Sequence, residues 1–124
     1  MIKILHIIDF LCLDGAARSM IAISKYSSRI DNQLHHQVIS LKKAHPSAID
    51  LAKEAGMEYL EYQDEKERNE LIAQADIVHI HYWNNPQMFS FLHSELPPIR
   101  LIIWFHVSGD NAPQVITRDL IRVC

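Results

Sequence analysis

What this chain lacks narrows it before what it contains. Glycine is scarce, three in 124 residues, and no Gly-x-Gly-x-x-Gly run follows the first apolar stretch, so the dinucleotide-binding fingerprint is missing. Cysteine occurs only as Cys12 and Cys124, in no Cys-x-x-Cys pattern, which fits a reducing, cytoplasmic setting. No stretch approaches the roughly 18 apolar residues of a membrane span. Lys3 followed by an apolar run has the look of a signal peptide, but His6 and Asp9 interrupt it and no small-residue cleavage site follows. A formal charge of −3, with acids and bases interspersed, gives no footprint for nucleic acid. Arg18, Lys25 and Arg29 on one helix leave room for a peripheral contact at the inner face of a membrane, against the ordinary alternative of a solvated face.

What is present alternates. Residues 2–8 are mostly apolar and β-branched without a polar alternation, the pattern of a strand buried on both faces of a parallel sheet. Asp9 closes it and Gly15 lets the backbone turn. Ala16, Ala17, Met20, Ile21 and Ser24 then recur at helical spacing over residues 16–29. Residues 36–41 form a second strand. Pro46 and Ser47 open a helix through Leu51, Ala52 and Ala55 that Gly56 ends with a left-handed cap. Residues 57–62 are a weaker third strand whose acids and tyrosines suit an edge. A charged helix at 64–75 has its apolar contacts in Leu71, Ile72 and Ala75. The fourth strand is 76–81, and Pro86 begins a helix through Met88, Phe89, Phe91 and Leu92. Pro97 and Pro98 break that helix, and 100–106 is the fifth strand. Strands alternating with helices predict an α/β, Rossmann-like three-layer sandwich with a parallel sheet in the order 3-2-1-4-5, a single domain over residues 1–124.

Residues 117–124 read TRDLIRVC, and Leu120-Ile121-x-x-Cys124 parallels Leu71-Ile72-x-x-Ala75, which a strand follows at once. That parallel predicts a further strand and therefore a domain truncated at its C-terminus. A natural five-stranded domain is the alternative.

In open α/β sheets ligands bind at the carboxyl edge of the central strands, and three segments converge there. In the first, Gly15 and Arg18 offer backbone amides and charge for a phosphate, or simply a tight turn. In the second, His79 and His81 share one face of a strand, which is half of a metal site, but no third ligand stands at a telling spacing. A hydrogen-bonded buried histidine accounts better for His79, and no metal or cofactor is expected. His81, as the strand's last residue, is expected to reach a cleft. Trp83, Asn84 and Asn85 supply a flat aromatic face and amide donors suited to a sugar, or a surface turn with a buried tryptophan. In the third, His106 ends an apolar strand just ahead of Ser108-Gly109. It either exchanges a proton with a bound hydroxyl near neutral pH or caps the strand end.

The succession KILHIIDFLCLDGAARSM, DIVHIHYWNNP and LIIWFHVSGDNAPQVI resembles the amino-terminal half of the retaining glycosyltransferases of family 4, which have the GT-B fold, over essentially the whole chain. The resemblance implies a nucleotide-sugar donor whose diphosphate lies near Gly15, Ala16 and Arg18. Asp14 and Ala17 replace a glycine and a glutamate of the family's loop, and an inward Asp14 carboxylate would repel a diphosphate. It also implies that His106 contacts the donor sugar near the reacting centre. His81, Trp83, Asn84, Asn85 and Ser108 then face a glycan, lipid or small-molecule acceptor. The family's second Rossmann-like domain carries the basic residues that stabilise the departing diphosphate, so turnover is expected only with that domain or a partner chain. A non-catalytic domain that pairs through its open sheet edge is the competing reading. A receiver domain fares worse, because it wants a lysine where His106 stands.

Overall fold

A computed structural model describes residues 1–105. The expectations placed on His106, on Ser108 and on residues 117–124 lie outside the described residues. Within them the chain alternates as β1 (Ile2–Ile8), α1 (Gly15–Ile30), β2 (Leu34–Ser40), α2 (Pro46–Glu54), β3 (Glu58–Tyr59), α3 (Glu65–Gln74), β4 (Ile77–Tyr82), α4 (Pro86–His93) and β5 (Leu101–Phe105). All strand pairs are parallel and the sheet order is β3-β2-β1-β4-β5, the order predicted from the alternation.

β1 is the axis of the sheet, paired with β2 along its length and with β4 from Ile4 onward. The two-residue period of a strand sends Leu5 and Ile7 to one face and His6 and Ile8 to the other, and all four are buried. On the first face Leu5 and Ile7 join Ile39, Val78, Ile80, Leu101 and Ile103 under Ile72 of α3 and Phe91 and Leu92 of α4. On the second, Ile8 and Val38 meet Ala16, Ala17 and Met20 of α1 and Ala48 and Ala52 of α2. Each large side chain buried this way contributes about 1.5–3 kcal/mol relative to exposure.

Local chemistry fixes the ends of the elements. Asp14, Asp64 and Asn85 cap α1, α3 and α4 by accepting from Ala17, Glu67 and Met88 N–H. Gly56 has φ +89°, the left-handed cap predicted for it; its N–H bonds Lys53 O while Met57 N–H bonds Ala52 O, so α2 closes in a Schellman turn. That turn pulls Met57 into the core under α2, and the third strand shrinks from the expected six residues to Glu58 and Tyr59. Residues 60–62 leave the ladder after Leu60 N–H bonds Val38 O. α3 carries an inward residue the sequence did not mark: Arg68 is buried, donates to Ser94 Oγ at 3.0 Å and lies over the Phe91 ring. On the outer face of α1, Lys25 and Arg29 both sit over the Tyr26 ring. No helix among the described residues is long and apolar enough to cross a membrane.

Candidate functional site

The carboxyl ends of β1 and β4 adjoin, and one hydrogen bond ties their loops together. Asn85 Nδ2 donates to Asp9 Oδ2, while Asn85 Oδ1 accepts from Met88 N–H. Each end of the amide is therefore engaged, one on the cap of α4 and one on the neighbouring loop. Asparagine directly before a proline at the first helical position is a cap signal, so this role was readable alongside the sugar-binding one. Asn84 is exposed at the same edge. Trp83 packs against the cluster under α1 and α2.

On the β1–α1 side Gly15 is the first residue of α1. Its backbone is not in the left-handed region and a Cβ there would meet nothing within 4 Å, so the turn does not depend on glycine. The turn comes instead from Asp14, whose extended backbone and carboxylate cap the helix. Helix geometry keeps Gly15 and Ala16 N–H out of the intrahelical ladder. However, the Asp14 carboxylate already occupies the positive end of the dipole at 2.9 Å from Ala17 N. Arg18 is exposed and its Nε reaches back toward Leu13 O at 3.5 Å. Cys12 lies on this loop, its thiol pushed above its ordinary pKa first by burial and then by a hydrogen bond with Asp14.

His81 does not open to a cleft. β4 runs one residue further than expected, to Tyr82, and His81 is opposite Ile8 of β1 with no exposed surface. Strand alternation turns its ring down onto the α1 face, into a row of histidines across three strands. His36 of β2, His6 of β1 and His79 and His81 of β4 share that face. His6 Nδ1 lies 3.0 Å from His81 Nε2, and His6 Nε2 lies 2.8 Å from His36 Nδ1. The His79 and His81 rings stack with centroids 4.3 Å apart.

One proton arrangement consistent with these contacts starts from the serines of α1. Ser24 donates its hydroxyl to Met20 O at 2.9 Å, so its oxygen accepts from His6 Nε2–H at 3.4 Å. In this arrangement Ser27 donates to Ser24 O at 3.4 Å, and its oxygen accepts from His36 Nε2–H at 2.9 Å. His36 Nδ1 is then the acceptor for His6 Nε2–H, and His6 Nδ1 the acceptor for His81 Nε2–H. Every step uses neutral imidazoles. Burial, followed by the neighbouring His79 and His36, holds His6 well below the ordinary imidazole pKa; burial and then His35 lower His36.

The sequence found no third ligand to join His79 and His81, yet the sheet supplies one. His6 is opposite His79 in the β1–β4 register, and one ring nitrogen from each of His6, His79 and His81 falls within 4.8 Å of the others. No family model, curated protein or solved structure matches the chain.

Proposed function

We propose that this chain is the acceptor-side domain of a retaining glycosyltransferase of the GT-B kind, moving a sugar from a nucleotide-sugar donor to a glycan, lipid or small-molecule acceptor with the help of a second Rossmann-like domain. The observation that carries the reading is the Asp9–Asn85 bond. It brings the loops after β1 and β4 together at the carboxyl edge, where open parallel sheets bind ligands. The three sequence stretches that resemble family 4 include both loops. In this reading exposed Asn84 meets the acceptor, Trp83 and Asn85 hold its loop in shape, and His106 serves the donor sugar. The diphosphate relies chiefly on the second domain, because Asp14 places a carboxylate on the turn that Gly15, Ala16 and Arg18 would otherwise offer it.

Saturation-transfer NMR of the chain with candidate glycans and nucleotide sugars tests the assignment, with the acceptor expected to bind more strongly than the donor. In the enzyme assembled with its second domain, His106→Ala is expected to abolish transfer, and unchanged transfer would remove His106 from the mechanism. Asp14→Asn keeps a capping side chain and deletes the charge, so pyrophosphate affinity at the first turn of α1 is expected to rise about two- to fivefold at low salt. A dimer that persists in sedimentation after Asn84→Ala, with no glycan signal, would favour a non-catalytic pairing domain instead.

A further inference from the structure

We propose that His6, His79 and His81 form a binding site for a divalent transition-metal ion such as Zn²⁺ on the α1 face of the sheet, bridging β1 and β4. The inference does not rest on the glycosyltransferase reading. Two ligands come from one strand at positions two apart and the third from the adjacent strand in register, so the backbone ladder fixes their relative placement. Their nitrogens already lie within 4.8 Å of one another, with the His6–His81 pair at 3.0 Å. Zinc–nitrogen bonds of about 2.0–2.1 Å in a tetrahedron set ligand nitrogens roughly 3.3 Å apart. Reaching that spacing means opening the His6–His81 pair slightly and drawing together nitrogens that lie up to 4.8 Å apart.

The proton arrangement favours the same outcome. With Ser24 and Ser27 as acceptors His6 is the Nε2–H form, and its Nδ1 lone pair faces His81 Nε2 at 3.0 Å. Metal-bound histidines characteristically donate their other N–H to a second group, and His6 does so to His36, which is in turn anchored on Ser27. On binding, His81 moves its proton from Nε2 to Nδ1 and presents the Nε2 lone pair. All three rings stay neutral, no proton is released, and the ion replaces the His6–His81 hydrogen bond. Imidazole ligands suit zinc, nickel, cobalt and copper, whereas magnesium and calcium prefer oxygen. Three histidines leave a fourth position for water or another ligand.

The test uses the full chain stripped with a chelator and titrated with Zn²⁺ by calorimetry and with Co²⁺ by visible absorption. One ion per chain is expected, with the intense d–d bands of low-symmetry, four-coordinate cobalt. Zn²⁺ should shift the ring resonances of His6, His79 and His81 in the NMR spectrum of the unsubstituted protein, a readout that needs no variant to fold. His79 is only part-buried, so His79→Gln should keep the far-ultraviolet circular dichroism of the parent and weaken Zn²⁺ binding at least about tenfold. Ser27→Ala, which touches no ligand, should weaken it by about 10-fold through His36. His35→Ala removes a histidine bonded to Glu58 outside the row and should change nothing. Absence of Zn²⁺ binding, affinity indifferent to His79→Gln, or ring shifts confined to His35, His45 and His93 would each overturn the site.

Discussion

The two faces of one sheet are built from alternate residues of the same strands, and they differ in kind. Toward α3 and α4, Leu5, Ile7, Val78, Ile80, Leu101 and Ile103 present only hydrocarbon, and the helices answer with Ile72, Met88, Phe91 and Leu92. Toward α1, the intervening positions of β1, β2 and β4 carry His6, His36, His79 and His81, and α1 answers with Ser24 and Ser27. One face holds its helices by excluding water alone, whereas Ile8, Val38 and Met20 do so over only part of the opposite one. The other accepts a cost in burying polar rings and recovers it only while every proton along the row has an acceptor. Purely structural packing would favour more leucine and isoleucine, so the polar face is where a function beyond folding is to be sought.

Four measurements would sharpen or break that contrast. On the apolar face Ile80→Ala opens a cavity in the fully buried core and should cost about 2–5 kcal/mol in urea denaturation. A loss below about 1 kcal/mol would mean that this face is not the one that holds the fold. Acid should act through the other face. His6 and His36 have folded pKa values lowered from 6.5, so below that pH the unfolded chain takes up protons that the folded chain refuses. Stability in EDTA is therefore full above about pH 6.5 and falls with pH through the window down to the lowered folded values. Glu58, lowered chiefly by its hydrogen bond with His35, acts only below its ordinary 4.5 and so stays outside a comparison made between about pH 8 and 5. A urea midpoint that is flat between about pH 8 and 5 would show that the row takes up protons as readily in the folded protein as in the unfolded chain.

Smaller effects complete the series. Ser27→Ala leaves His36 Nε2 without its hydrogen-bond partner on α1 and should cost about 1 kcal/mol, read from the denaturation midpoint at neutral pH. His35→Ala breaks a hydrogen bond with Glu58 at the sheet's edge, where water competes for both groups, and should change stability by less than about 1 kcal/mol. If the His35 variant lost more than the Ser27 variant, the distinction between an internal polar row and an ordinary surface pair would fail.

The sheet order was readable because each strand announced itself through a local pattern and the handedness of crossovers left few ways to connect them. β3 was read too long because residues 57–62 have a strand's composition, while the Schellman turn at Gly56 diverts Met57 to the helix side before pairing can start. Gly15 was credited with a turn that Asp14 makes, since a cap and a glycine turn leave similar traces in a short loop. The histidine row was half visible. His79-x-His81 lies within one strand and can be read from spacing, but His6 stands 75 residues from His81 and only the cross-strand register brings the two into contact. Arg68 was hidden for the same reason, its partner Ser94 being 26 residues further on.

The placement of β1 between partners that follow it in the chain has a consequence for biosynthesis. β1 leaves the ribosome before β2 and well before β4, and at about 5–20 residues per second it waits several seconds for the second of them. Throughout that wait an aliphatic ribbon whose β4-side edge is bare is exposed to other nascent chains. The imidazole of His6, midway along IKILHII, then serves as a hydrophilic interruption that discourages premature stacking, before the completed sheet draws it inside.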